Sequence, residues 1–117
     1  MADTEKRLLK SRQAKVKIGK FTFLIRRPTV EEAIQIEQNK MDVCAVAKRF
    51  VYGWEDVLDM DIAPSGTSDP AIFSSSLWTE WVADRPDFWW PIREAVNNNF
   101  NDYYKKLDDN LKNSEPG

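Results

Sequence analysis

Asp56, Asp59 and Asp61 form the densest carboxylate run of the chain, Glu-Asp-Val-Leu-Asp-Met-Asp over residues 55–61, and alternating acids of this kind can ligate calcium. A calcium loop also needs a glycine at its sixth position and a glutamate at its twelfth. Counted from Asp56 those positions hold Asp61 and Thr67, and counted from Asp59 they hold Pro64 and Pro70. The run therefore reads as a solvated acidic loop and no metal site is assigned. Histidine is absent, which removes the commonest general base, the commonest metal ligand and both the Ser–His and Cys–His nucleophile systems. The single cysteine, Cys44, lies in the apolar run Val43-Cys44-Ala45-Val46-Ala47 and reads as a buried, inert thiol, with no second thiol for a disulfide or a paired-thiolate zinc site. Four glycines at positions 19, 53, 66 and 117 cannot build a phosphate-cradling loop. No catalytic residue and no cofactor follow from these patterns, and the chain reads as a protein that binds another protein without catalysing a reaction.

The residues that remain informative are aromatic. Six of fourteen aromatics fall within residues 73–90: Phe73, Trp78, Trp81, Phe88, Trp89 and Trp90. Large rings supply much of the apolar area of a small core, and Phe73, Trp78 and Trp81 fit that role. Phe88-Trp89-Trp90 does not fit so easily, because consecutive helical residues point about 100° apart and one core cannot bury all three. At least one of Trp89 and Trp90 is expected at the surface, where tryptophan serves as a contact anchor. The Trp-rich region around residues 78–90, with Trp54, is thus the candidate protein-binding surface: Trp78, Trp81, Phe88, Trp89, Trp90 and Trp54.

The elements that must position these rings can be read from period and punctuation. Residues 1–14 are polar apart from Leu8 and Leu9 and read as a mobile basic arm or a short frayed helix. Alternation of Val16 and Ile18, then of Phe21, Phe23 and Ile25, about Gly19-Lys20 predicts a β-hairpin over 15–27 with one buried face. Pro28 stops it, and Thr29 with Glu32 predicts a capping box at the start of a helix running over about 29–52, with Val30, Ala33, Ile34, Met41 and Cys44 on one side, a bend near Asp42 and Gly53 at its end. A Pro/Gly loop follows, then a helix over about 74–84 carrying Leu77, Trp78, Trp81 and Val82. Pro86 closes that helix, and a last helix over about 87–107 presents Ile92, Ala95 or Val96, Phe100 or Asn99, Tyr103 and Leu107. Residues 108–117 read as a polar tail. The predicted fold class is α+β, mostly α: an N-terminal hairpin and three to four helices in a single domain over 15–107.

Length and charge agree with that organisation. A chain of 117 residues is the size of one domain. No stretch approaches the roughly 20 apolar residues of a membrane span, so the expected place is the cytoplasm with no membrane partner. Residues 1–27 carry nine Lys/Arg against Asp3 and Glu5, a net +7, whereas the remainder carries eight basic and seventeen acidic residues, a net −9. A basic arm can mark a nucleic-acid regulator, but the acidic body repels phosphate and disfavours nucleic acid.

The order of pieces resembles a known family. A Gly-x-Phe-x-Phe hairpin runs into Arg26-Arg27-Pro28-Thr29-Val30-Glu31-Glu32 and a helix. Phe50-Val51-Tyr52-Gly53-Trp54-Glu55-Asp56-Val57, a Pro/Gly loop, Ile72-Phe73-Ser74, a tryptophan helix and a long last helix follow. Over residues 16–107 this is similar to the small tail assembly chaperones of long-tailed bacteriophages and prophages. One departure is that the family's usual Val-Pro-Phe-Ser approach to the second helix here reads Asp69-Pro70-Ala71-Ile72-Phe73-Ser74, which implies a longer or differently packed loop. The resemblance implies a non-catalytic morphogenesis factor that binds the tape measure protein and helps recruit the tail tube protein. It implies action in the cytoplasm of the bacterial host and absence from the mature virion. The alternative is another small phage tail-completion or connector protein. Homo-oligomerisation is consistent with the hairpin's unpaired edge.

Overall fold

The computed structural model describes residues 2–114. In chain order the elements are α1 (Ala2–Ser11), β1 (Gln13–Ile18), β2 (Phe21–Arg26), α2 (Val30–Glu37), α3 (Val43–Phe50), β3 (Val51–Glu55), α4 (Asp59–Ile62), α5 (Ser75–Ala83) and α6 (Pro86–Ser114). The fold is α+β and mostly α, with an N-terminal hairpin followed by helices.

The hairpin forms as its alternation predicts. Ile18 pairs with Phe21, and Gly19 takes the positive φ of 59° that a two-residue connection favours. Phe23 and Ile25 point inward and are buried. The free edge of β2 is not left open, however. Val51–Glu55 pairs with it antiparallel, Phe23 opposite Trp54 and Leu24 opposite Gly53, with a register shift between Leu24 and Ile25. The sheet order is β1-β2-β3. The single helix expected over 29–52 is therefore three elements. β-Branched and aromatic residues at 51, 52 and 54 favour a strand once an edge offers hydrogen bonds, and Gly53 lies within that strand, facing Leu24, instead of ending a helix.

The break between α2 and α3 has its own local chemistry. Asn39 has φ 59°, the N–H of Asn39 donates to Ile36 O and that of Lys40 to Gln35 O, a Schellman closure with asparagine in the left-handed position. Asp42 then caps α3 by accepting from Ala45 N at 2.8 Å. Ser74 caps α5 through Leu77 N at 3.1 Å. Pro86 occupies the first position of α6, where its missing N–H costs nothing. Residues 2–11, expected as a mobile arm or a short frayed helix, are helical, and α6 continues through residues 108–114 of the expected tail. Residues 115–117 of that tail lie outside the described residues.

The core lies where α3, α5 and the first half of α6 cover one face of the sheet. Phe23, Ile25, Val46, Phe50, Trp78, Val82, Phe88, Ile92 and Val96 are all buried there. Each such large side chain contributes about 1.5–3 kcal/mol relative to exposure. Three indole N–H groups find main-chain carbonyls: Trp78 donates to Ala47 O at 2.9 Å, Trp54 to Ala71 O at 2.9 Å and Trp89 to Val82 O at 2.7 Å. Left unpaired, each would cost about 1–3 kcal/mol.

A candidate binding groove between two helices

The six candidate anchors separate sharply. Trp78, Trp81 and Phe88 are buried and interlock with Phe23, Trp78 and Phe88 stacking at 6.2 Å and Trp81 meeting Phe88 edge-on at 5.2 Å. Trp54 is half-buried against Phe73 at 4.9 Å, and Trp89 is half-buried with its N–H committed. The expected tryptophan surface over 78–90 is thus mainly interior: the sheet face is wide enough to take rings from α5 and α6 together. Trp90 alone of the six stands out, 62% exposed, as the 100° spacing requires of one member of the run.

Exposed apolar area gathers elsewhere, along α2 and the outer ridge of α6. α2 is oriented by Glu32, whose carboxylate is buried. It accepts from Arg26 Nη1 and Nη2 at 2.9 and 3.1 Å, from Arg49 Nε at 2.7 Å and from Thr29 N at 3.0 Å. Thr29 Oγ1 in return accepts from Glu32 N, completing the predicted capping box. Burial alone would raise the Glu32 pKa, but the donors from Arg26, Thr29 and Arg49 outweigh it and hold the group at about 2. With Glu32 and Ile36 turned inward, helical geometry turns Val30 and Ile34 outward, and they are 41% and 48% exposed. The apolar side expected at 30, 33 and 34 exists, but its outer members face a groove and not the core.

The opposite wall is α6. Phe88, Ile92 and Val96 anchor its first half. Near the end of the body, Asn99 Nδ2 donates to Arg12 O at 3.2 Å and the Arg27 guanidinium lies 3.5 Å over the Tyr103 ring. Val30, Ala33, Ile34 and Glu37 on α2 face Phe100, Asn101 and Tyr104 on α6 across a hollow of about 310 Å³. A second hollow continues it past Pro28, Ile36, Arg93 and Asn97, and a third leads along α6 to Trp90. Residues 90, 93, 97, 101 and 104 recur at spacings of three and four, so they share one ridge, about 21 Å long from Trp90 to Tyr104. The sequence did carry a signal for Val30, Ile34 and Phe100, their helical spacing, but nothing in it tells which apolar stripe stays open. Tyr104 falls outside both predicted stripes.

Other chemistry-bearing residues hold structural posts. Asp61 bonds Lys20 Nζ at 2.6 Å and Leu58 N at 2.8 Å; these bonds, Lys20 first, lower its pKa. Asp59 accepts from Thr67 N. Among the described residues no cluster of His, Cys, Asp or Glu could hold a metal ion, and no helix is long and apolar enough to cross a membrane. Cys44 is half-buried on α3 and not fully enclosed. No protein-family model, curated protein or solved structure matches the chain.

Proposed function

We propose that this chain is a non-catalytic binding protein, a phage or prophage tail assembly chaperone, that seats an apolar helical segment of its client in the α2–α6 groove. The observation that carries the reading is the line of exposed Val30, Ile34 and Tyr104 beside Phe100, on two helices with Trp90 at the far end. Helix-in-groove recognition needs such an apolar seat with polar margins, and Glu37, Asn101, Asn97 and Arg93 supply the margins. The resemblance over residues 16–107 supports the tape measure protein as client and the tail tube protein as the component recruited. The nucleic-acid reading is less favoured, since Lys15 and Lys20 of the basic segment are each tied to a carboxylate, Glu55 and Asp61.

Co-expression with a helical tape measure fragment tests the proposal. The fragment should become soluble and co-elute with this chain, and Ile34→Asp should weaken the complex about tenfold or more, the loss of one buried aliphatic contact. A fragment that stays insoluble, or a complex indifferent to Ile34→Asp, would sink the groove reading. A complex formed instead with the tail tube or a connector protein alone would favour the tail-completion alternative.

A further inference from the structure

We propose that α1 of one copy docks in the α2–α6 groove of a second copy, so that the free protein self-associates head to tail. The inference rests on the reading of that groove as a seat for a helix. Residues 3–11 are exposed throughout, yet α1 is only ten residues long, and an isolated helix of that length is marginal in water without packing. One side of it carries Leu8 and Leu9, both 48% exposed, and Lys6 and Lys10 lie four residues apart on one neighbouring face. α1 cannot easily fold back to cover itself, because only Arg12 separates it from β1. That link is pinned, its carbonyl accepting from Arg27 N at 2.7 Å and Asn99 Nδ2 at 3.2 Å.

The groove has the complementary chemistry. Its apolar wall is Val30, Ile34, Phe100 and Tyr104, and the one charged side chain lining that half is Glu37. α2 contains three glutamates and no Lys or Arg. Glu32 is paired with Arg26 and Arg49, which leaves the exposed Glu37 to meet cations at the groove. A helix whose later turns carry Lys6, Arg7 and Lys10 around a leucine pair, with Asp3 and Glu5 confined to its first turn, and an acidic helix beside an apolar seat therefore sit on one chain at different places. Such a pair of patches makes a heterologous contact, which propagates into rings or filaments unless it closes.

Two variants separate the halves of the contact. Wild-type protein should sediment as dimers or larger species that grow with concentration and shrink with added salt. Leu8→Asp/Leu9→Asp and Ile34→Asp, all at exposed positions, should each be monomeric with unchanged melting. Mixed, they should form a one-to-one complex, because each supplies the half the other lacks. A wild type that stays monomeric into the millimolar range, self-association that survives in either variant, or a mixture that remains monomeric overturns the proposal. Should an apolar variant fail to fold, Glu37→Lys tests the charge pairing alone: self-association should weaken severalfold, and an unchanged constant counts against it. Leu8→Asp/Leu9→Asp keeps its groove and should still solubilise a tape measure fragment. Client binding by a wild type that never self-associates would leave the function standing and remove only this inference.

Discussion

At position 32 a capping box and an ion-pair hub draw on the same carboxylate, and their joint demand explains why a glutamate is tolerated inside. A buried charge without partners is costly, and removing the partner of a buried pair typically costs about 3–5 kcal/mol. Glu32 instead has four donors on its two oxygens. Its folded pKa of about 2 lies below the ordinary carboxylate value, so the hub contributes its full stabilisation above about pH 4.5 and loses it as pH falls toward 2. The shift corresponds to on the order of 3 kcal/mol. Glu32→Gln keeps the cap but leaves both guanidiniums uncompensated; it should lower the melting temperature by about 10 °C at neutral pH. It should also flatten the acid limb between pH 4.5 and 2, read by circular dichroism. An unchanged acid limb would show that other carboxylates carry the acid sensitivity. The tryptophans teach the complementary lesson at this scale. Their number and spacing mark a large aromatic investment, but Trp78, Trp81 and Phe88 spend it on the core, and only Trp90 offers a ring to a partner.

At the scale of elements, α6 is two helices in one. Its first half is held by Phe88, Ile92 and Val96, whereas residues 105, 106 and 108–112 are exposed and only Leu107 between them is half-buried. Local opening costs little where few apolar contacts must be broken. In the Leu8→Asp/Leu9→Asp variant, amides of residues 105–112 should exchange with deuterium at least about a hundredfold faster than those of residues 92–96. Equal protection along the helix would mean that the distal turns are packed in solution. The sequence signalled this division by its change of composition after Leu107, but placed the helix end there. Exposed Lys, Asp and Asn at 105–112 oppose a helix too weakly to end it. The split of residues 29–52 was less legible. Asp42 as a cap and Asn39 in a left-handed turn are local signals, but β3 forms only because β2 presents an edge more than twenty residues earlier in the chain.

The whole molecule is elongated, 64 × 34 × 24 Å, with a Cα radius of gyration of 16.6 Å. A compact domain of this length would have about 13 Å. The excess fits the protruding, solvent-exposed end of α6 and the uncovered α1, the parts that self-association and client binding would employ. Small-angle scattering from the Leu8→Asp/Leu9→Asp variant should return a radius of gyration near 17 Å. A value close to 13 Å would mean that the projecting helices fold back onto the body.

From the sequence alone came what nearest neighbours and periodicity dictate. The hairpin about Gly19, the capping box at Thr29–Glu32, the helix behind Ser74, the mostly helical class and the exposure of one member of Phe88-Trp89-Trp90 all depend on residues within a few positions of one another. The tertiary structure decided what depends on meetings across the chain. It paired Val51–Glu55 with β2, drew Trp78 and Trp81 inward against Phe23, and turned Glu32 toward Arg26 and Arg49 so that Val30 and Ile34 face out. An apolar stripe looks the same in sequence whether it is buried or open, because burial belongs to the surface that arrives opposite it. Here that surface reached Trp78 and Trp81 and left the α2–α6 groove uncovered.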